Sequence, residues 1–149
     1  MQAKIFGEQM LKITSAVFER ICSHGEEAFP NECCGVLLGK IIGDQRNVLD
    51  ILEIQNSFDE GEQFHRFLIT PENYRSAERA AREKKIDILG FYHSHPNSPS
   101  VASKYDLDHA FPWFSYLIVS VMKAKYHDMH SWVMENDRSS FQGENVIIE

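Results

Sequence analysis

The stretch that decides how this chain is organised covers residues 90–106 and reads GFYHSHPNSPSVASKYD. Its first residues belong to an apolar run over 86–92, which predicts a buried strand. His93 and His95 follow two residues apart, and side chains at that spacing in a strand point to the same face. Pro96 cannot donate a hydrogen bond to a strand ladder, so we expect the strand to end there.

A polar loop and a short helix complete this stretch. Residues 97–100 read NSPS, a composition typical of loops. Ser103 and Asp106 then have the spacing of a capping box, in which a serine caps the helix and an acidic residue three positions later reaches back. A helix is predicted over 103–110, and the Phe-Pro-Trp sequence at 111–113 ends it.

Two imidazoles on one strand face and a carboxylate from the next helix can surround a metal ion on three sides. A structural zinc site is closed by four protein ligands, whereas three ligands and a water form the catalytic arrangement. The residues alone therefore indicate a zinc hydrolase. The opposing interpretation is that the histidines pack as half-polar core residues and that Ser103 only caps a helix. That reading leaves the Ser/Pro-rich loop beside them without a purpose.

Composition restricts the classes of protein to consider. The 149 residues predict a single domain over 1–149 with an ordinary content of 43% hydrophobic and 25% charged residues. The net charge of −7 argues against nucleic acid or an anionic membrane as a partner. No segment approaches the roughly 18 apolar residues that span a bilayer. The three cysteines show no disulfide framework and no Cys-x-x-Cys motif, which favours a reducing, cytoplasmic compartment.

The remaining elements predict a mixed sheet with helices packed on it, of the α/β or α+β class. A first helix is capped by Thr14 or Ser15 and is expected to end near Gly25. A second begins at Thr70 and runs to about residue 85. The predicted strands cover 11–13, 34–43, 48–54, 64–69, 86–92, 116–122 and 128–134, with an edge strand over 144–148. Hairpins at 36–54 and 116–134 favour antiparallel pairing.

A metal hydrolase also needs a carboxylate that moves protons at the attacking water. The stretch around the histidines offers no spare glutamate. Glu32, just ahead of the buried strand that begins at residue 34, is a candidate. It is equally compatible with an exposed acid in a turn, and spacing alone leaves both readings open.

The combined pattern resembles the signature of the JAMM (MPN+, Mov34) metalloproteases. His93-x-His95-Pro96 is followed by Ser103-x-x-Asp106, with seven residues between His95 and Ser103. Upstream, residues 30–39 read PNECCGVLLG and resemble the family segment that carries the catalytic glutamate. Residues 67–71, FLITP, resemble the small bacterial members. The resemblance covers residues 11–134.

This resemblance implies one zinc ion per chain, with His93, His95 and Asp106 as its ligands. It implies that Glu32 is the general acid and base acting on the metal-activated water. Ser103 would help to stabilise the developing oxyanion. The implied fold is a curved mixed, largely antiparallel sheet flanked by helices, the MPN fold, which resembles that of cytidine deaminases.

The family reaction is hydrolysis of a peptide or isopeptide bond after the C-terminal glycines of a ubiquitin-like protein. The chain is short, so it resembles the compact prokaryotic members, which act on small sulfur-carrier proteins of the ThiS/MoaD type. The expected partner is therefore such a carrier, with no nucleic acid and no membrane. A homodimer is compatible with the sequence.

Three other readings stay open at this point. A non-catalytic MPN-type scaffold has the same fold, although it has no reason to retain a full ligand set. A zinc deaminase requires His-x-Glu and Pro-Cys-x-x-Cys, and this sequence has neither. RadC-type proteins typically carry Asn between the two histidines, where this chain has Ser94.

Several residues beside the motifs have two readings. Cys33 and Cys34 are either metal ligands or nucleophiles, or small buried residues at a strand start, and we favour burial because no basic partner is visible. His109 lies either behind the metal ligands or on the surface. The aromatic residues of 111–114 are expected to pack in the core, with a groove wall for an extended peptide as the alternative.

Overall fold

The computed structural model describes residues 9–56 and 69–149, which form seven strands and three helices. In chain order these elements are β1 (Met10–Ile13), α1 (Ser15–Ala28), β2 (Cys34–Ile42), β3 (Gln45–Ile54), α2 (Pro71–Lys84), β4 (Asp87–Pro96), α3 (Lys104–His109), β5 (Ser115–Met122), β6 (Lys125–Met134) and β7 (Phe141–Ile148). Within these two ranges, no helix has the length and apolar character that crossing a bilayer demands.

The seven strands close into a barrel in the order β1-β3-β2-β4-β5-β6-β7. Pairing is antiparallel for β2/β3, β2/β4, β5/β6 and β6/β7, and parallel for β4/β5, β1/β3 and β1/β7. The prediction of a mixed, largely antiparallel sheet with helices is thus confirmed. The closure of this sheet into a barrel was not predicted.

The last strand was wrongly predicted to be an edge strand. β7 pairs with β6 on one side and with the short β1 on the other, and β1 in turn pairs with β3. The last strand therefore has a neighbour on both sides. A four-residue strand that joins the two ends of a sheet leaves little trace in the sequence, because its pairing partners are about 35 and 135 residues away.

A buried polar network supports this closure. Arg46 of β3 donates to the Ser115 hydroxyl over 2.9 Å, and Ser115 and Ser131 each donate to Glu144 Oε1 over 2.8 Å. All four side chains are almost completely buried. Since a buried polar group without a partner is costly, these bonds favour the one register in which β3, β5, β6 and β7 meet.

The first helix extends beyond its predicted end. Thr14 caps α1 by accepting a hydrogen bond from the Val17 amide, as predicted, but the helix continues past Gly25 to Ala28. Gly25 is buried, and a Cβ at this position would lie 3.1 Å from the Val121 side chain. The glycine therefore serves close packing of α1 against the sheet, and the helix ends two residues before Pro30.

The second helix begins as predicted. The Thr70 hydroxyl accepts from the Asn73 amide over 3.1 Å, and the Asn73 side chain accepts from the Thr70 amide over 2.9 Å, which completes the capping box. Ala77 and Ala81 are buried against β2 residues. The strand predicted over 64–69 lies outside the described residues except for Ile69, and so does most of the loop predicted over 56–62.

Substitution of Gly90 by alanine is predicted to destabilise the protein, because β4 and β5 approach closely there. An added Cβ would lie 1.9 Å from the Ser115 carbonyl oxygen, and backbone on both sides limits any relief. We expect a loss of about 2–3 kcal/mol in the free energy of unfolding, measured by urea denaturation.

Gly143→Ala is the matched control, since the nearest atom to its added Cβ is 4.0 Å away, on the Trp132 ring. Similar losses of stability in the two variants would refute the close approach of β4 and β5.

Candidate metal centre

The strand β4 ends in two buried histidines that face the same point. This strand lies between β2 and β5, and His93 and His95 are near its C-terminal end. Their side chains are 3% and 9% exposed, and their Nε2 atoms are 3.1 Å apart. The prediction that they share one face of the strand is therefore confirmed.

The short helix α3 contributes a carboxylate to the same point. Asp106 Oδ1 lies 3.2 Å from His93 Nε2, and Asp106 Oδ2 lies 3.2 Å from His95 Nε2. The capping box fixes this orientation. The Ser103 hydroxyl accepts from the Asp106 amide over 3.1 Å, and Asp106 Oδ2 accepts from the Ser103 amide over 2.9 Å. The helix start thus aims the acid at the histidines.

These three side chains fit a tetrahedral metal ion. His93 Nε2 and His95 Nε2 are 3.1 Å apart, and each lies 3.2 Å from a different oxygen of the Asp106 carboxylate. Bonds of about 2.0 Å at tetrahedral angles hold donor atoms about 3.3 Å apart, so little movement is needed. In the described part of the chain, no other group of three or more His, Cys, Asp and Glu side chains converges in this way.

Burial and hydrogen bonding shift the pKa values of Asp106 and His95 in opposite directions. Burial alone would raise the pKa of Asp106, but His93, His95 and the Ser103 amide hold that pKa well below its usual range. Burial likewise lowers the pKa of His95, yet its hydrogen bonds to Asp106 and to the Pro99 carbonyl raise the pKa overall. The carboxylate is therefore ionised, as a metal ligand must be.

A backbone carbonyl sets the tautomer of His95. His95 Nδ1 donates to the Pro99 carbonyl oxygen over 2.8 Å, so Nε2 is the nitrogen that faces Asp106 and His93 and that can bind a metal once it is deprotonated. Histidines that bind metals almost always donate their other ring N–H in this way. This bond was not predicted, because it depends on how the loop after Pro96 folds back.

The predicted acid/base residue lies in the cleft next to the three candidate metal ligands. Glu32 is buried and lines a cleft of about 600 Å³ together with Pro30, His95, Pro99 and Ser103. It also contributes to raising the pKa of His95. The fold therefore brings together the upstream and downstream motifs, which are about 60 residues apart in the chain.

Two residues that hold Glu32 in place were missed. The Ser94 hydroxyl accepts from the Cys33 amide over 2.8 Å, and the Ser94 amide donates to the Cys33 carbonyl over 3.1 Å. The Asn56 side chain donates to the Glu32 carbonyl over 3.1 Å. The position of Ser94 between the histidines was a usable signal, since strand alternation points it to the opposite face.

Cys33 and Cys34, next to Glu32, are buried, as predicted from the sequence. Burial raises the pKa of the Cys33 thiol to about 12 and that of Cys34 well above its usual value. A raised pKa disfavours the thiolate that a nucleophile needs, and neither thiol belongs to the group of side chains that converges on the metal site. His109 is exposed, with Nδ1 donating to the Tyr105 carbonyl and its ring stacked on Tyr105 at 4.1 Å.

An apolar groove of about 590 Å³ has residues of α3 in its wall. It is lined by Ile69, Thr70, Pro71, Tyr74, Arg75, Phe91, Tyr105, His109, Phe111, Phe114 and Tyr116. Core packing of residues 111–114 was thus the wrong expectation, since Phe111 is 59% and Trp113 47% exposed. The loop keeps its shape because Tyr116 and Arg138 bond its backbone and Arg46 stacks on Trp113 at 4.3 Å.

Two curated proteins are similar to this chain, and both are named desampylase. The one from Haloferax volcanii is 34% identical over 115 residues, which cover 74% of this chain and 80% of the relative. The one from Pyrococcus furiosus is 24% identical over 118 residues, which cover 79% of this chain and 76% of the relative.

Solved structures agree with this relationship. A solution structure of a protein from Desulfitobacterium hafniense superposes with a TM-score of 0.82 at 31% identity, covering 94% of this chain and 93% of the other. One from Salinibacter ruber gives a TM-score of 0.72 at 35% identity, with 93% and 91% covered. The family model described as prokaryotic homologs of the JAB domain matches residues 14–135, which is most of the chain. The chain therefore belongs to the prokaryotic JAB family, the group of JAMM-type metallopeptidases that its motifs resemble.

Proposed function

We propose that this chain is a zinc-dependent peptidase. It hydrolyses the peptide or isopeptide bond after the C-terminal Gly-Gly of a small ubiquitin-like protein of the sulfur-carrier (ThiS/MoaD) type. The observation that carries the proposal is the triangle of His93, His95 and Asp106 beside a cleft lined by Glu32 and Ser103. The two relatives named desampylase support the same class of reaction.

In this proposal His93, His95 and Asp106 hold one zinc ion through two imidazole nitrogens and one carboxylate. This donor set leaves a fourth position for chemistry, as catalytic zinc sites do. A bound zinc ion supplies Lewis acidity there, lowering the pKa of water and polarising a carbonyl.

Glu32 moves the protons. Its carboxylate lies in the cleft next to His95, where it accepts a proton from the attacking water and delivers it to the leaving amine. Such a transfer needs the carboxylate within hydrogen-bond reach of the reacting atoms. The bonds of Ser94 and Asn56 to the Glu32–Cys33 backbone hold the segment for that purpose.

Ser103 donates a hydrogen bond to the oxygen of the scissile carbonyl as negative charge develops on it. Its hydroxyl oxygen already accepts from the Asp106 amide, and its own O–H proton is available for the substrate. A fixed donor at the place where charge develops is an effective way to lower the barrier.

The burial of the ligands favours a glycine-containing substrate. The three ligand side chains are 3–9% exposed, so the substrate backbone has to approach buried groups closely. Glycine has no side chain and lets the backbone approach closely. The apolar groove along α3 then takes the apolar side chains of the tail that precede the two glycines.

The cysteines are consistent with a cytoplasmic location for this reaction. Cys22, Cys33 and Cys34 are all free thiols. Free thiols persist in reducing compartments, and small carrier proteins with an exposed Gly-Gly tail act there in this proposal.

Glu32→Gln is predicted to retain zinc and to lose hydrolysis, because the amide cannot take up the water's proton. The assay is mass spectrometry of a Gly-Gly carrier with a C-terminal extension, before and after incubation, with zinc content measured in parallel. A loss of at least about 100-fold in rate is expected.

Glu27→Gln is the matched control, since Glu27 is an exposed glutamate at the end of α1, close in sequence to Glu32. Wild-type rates for Glu32→Gln would exclude the proton-transfer role. Failure of the wild-type protein on several carriers would leave the scaffold reading in place.

Phe111→Ala is predicted to weaken binding of the protein substrate without weakening the binding of zinc. Phe111 lies on the groove wall and is more than half exposed, so its truncation should affect binding more than folding. We expect KM for the extended carrier to rise about fivefold, equivalent to about 1 kcal/mol of lost apolar burial, with kcat nearly unchanged.

Ile42→Ala serves as the comparison, because Ile42 is 68% exposed at the far end of β2 from the site. An unchanged KM in Phe111→Ala would remove the groove from the substrate path.

A further inference from the structure

The loop between the two ligand-bearing elements is fixed to β6 by a set of side chains that the reaction itself does not use. Ser100, 2% exposed, lies in the middle of residues 97–103. Its hydroxyl donates to Asp128 Oδ1 over 2.8 Å and lies 2.6 Å from His130 Nδ1. Its carbonyl accepts from Trp132 Nε1 over 3.1 Å. We call these four residues the loop clasp.

Alternation along β6 explains how one strand supplies all three partners. Asp128, His130 and Trp132 are at successive even positions, so they share one face of the strand. A serine hydroxyl has a single proton, and Ser100 gives it to the Asp128 carboxylate. His130 must therefore donate its Nδ1–H to the Ser100 oxygen, which fixes the His130 tautomer and satisfies the buried hydroxyl.

A second anchor holds the loop two residues earlier. The Ser120 hydroxyl donates to the Ser98 carbonyl over 2.6 Å. Pro99 thus lies between two anchored residues, and its carbonyl is the group that accepts the Nδ1–H of His95. The position of this carbonyl is determined from both sides by bonds to β5 and β6.

We propose that the loop clasp positions the metal ligand His95. By fixing the Pro99 carbonyl, Ser100 and its partners on β6 keep the His95 ring in the tautomer and orientation that direct Nε2 at Asp106 and His93. Ser100 is in this view a positioning residue. The proposal rests on the metal centre of the proposed function, and partners of this kind typically contribute 10- to 100-fold in metal affinity.

The test compares Ser100→Ala with Ser98→Ala. Ser98 lies in the same loop, its side chain is exposed, and its anchoring bond uses the carbonyl, which alanine keeps. Zn²⁺ affinity is measured by competition with a chromogenic chelator. Ser100→Ala should bind Zn²⁺ about tenfold more weakly, whereas Ser98→Ala should match the wild type.

A second readout follows the His95 ring directly. Long-range ¹H–¹⁵N spectra of metal-free protein, recorded at rising pH until the His95 nitrogen shifts no longer change, distinguish its two tautomers. The wild type should show the Nδ1–H form alone, and Ser100→Ala should show a mixture. A role limited to stability would change the unfolding temperature and leave the tautomer as it is.

His130→Ala covers the case in which Ser100→Ala does not fold, because His130 is exposed and its truncation leaves no buried gap. It should weaken Zn²⁺ binding about threefold, against no change for His127→Ala, another exposed histidine on β6. Wild-type affinity and a single His95 tautomer in both Ser100→Ala and His130→Ala would overturn the proposal. Absence of Zn²⁺ binding in the wild type would instead contradict the proposed function, while the tautomer spectra would still decide the role of the clasp.

Discussion

The pairing of β4 with β2 on one side and with β5 on the other is the constraint on which the site depends. The β2 pairing places His93 opposite Cys34, at the point where the Glu32 segment enters the sheet. The parallel β5 pairing runs from Gly90 to Pro96 and supports both histidines. Because of these two registers, motifs that are far apart in the chain meet at one end of the barrel.

Several side chains of the site have a structural and a chemical task at once. Asp106 completes the capping box of α3 and, with the same carboxylate, faces both imidazoles. Ser94 lies between the histidines and bonds the segment that carries Glu32. Sharing groups in this way satisfies the buried polar atoms and fixes the ligand geometry with few residues, which suits a short chain.

The parts that sequence reasoning predicted correctly are those set by local rules. Alternation places His93 and His95 on one face, and the capping boxes of Thr70 and Ser103 depend on residues three positions apart. The errors concern contacts made at long range. Gly25 reads as a helix stop but serves close packing against Val121, and β7 reads as an edge strand because β1 is so short. The aromatic residues of 111–114 were predicted to be core, yet Phe111 and Phe114 line an exposed groove, since hydrophobicity does not distinguish a core from a binding surface.

We propose that this end of the barrel binds zinc through two imidazoles and one carboxylate, and that the neighbouring cysteines do not bind it. X-ray absorption spectroscopy at the zinc edge of protein loaded with one equivalent of Zn²⁺ tests it most directly. We expect nitrogen and oxygen scatterers at about 2.0 Å, including the multiple scattering of two imidazoles, and no sulfur. A sulfur shell at about 2.3 Å, or a spectrum lacking imidazole, would contradict this set of ligands.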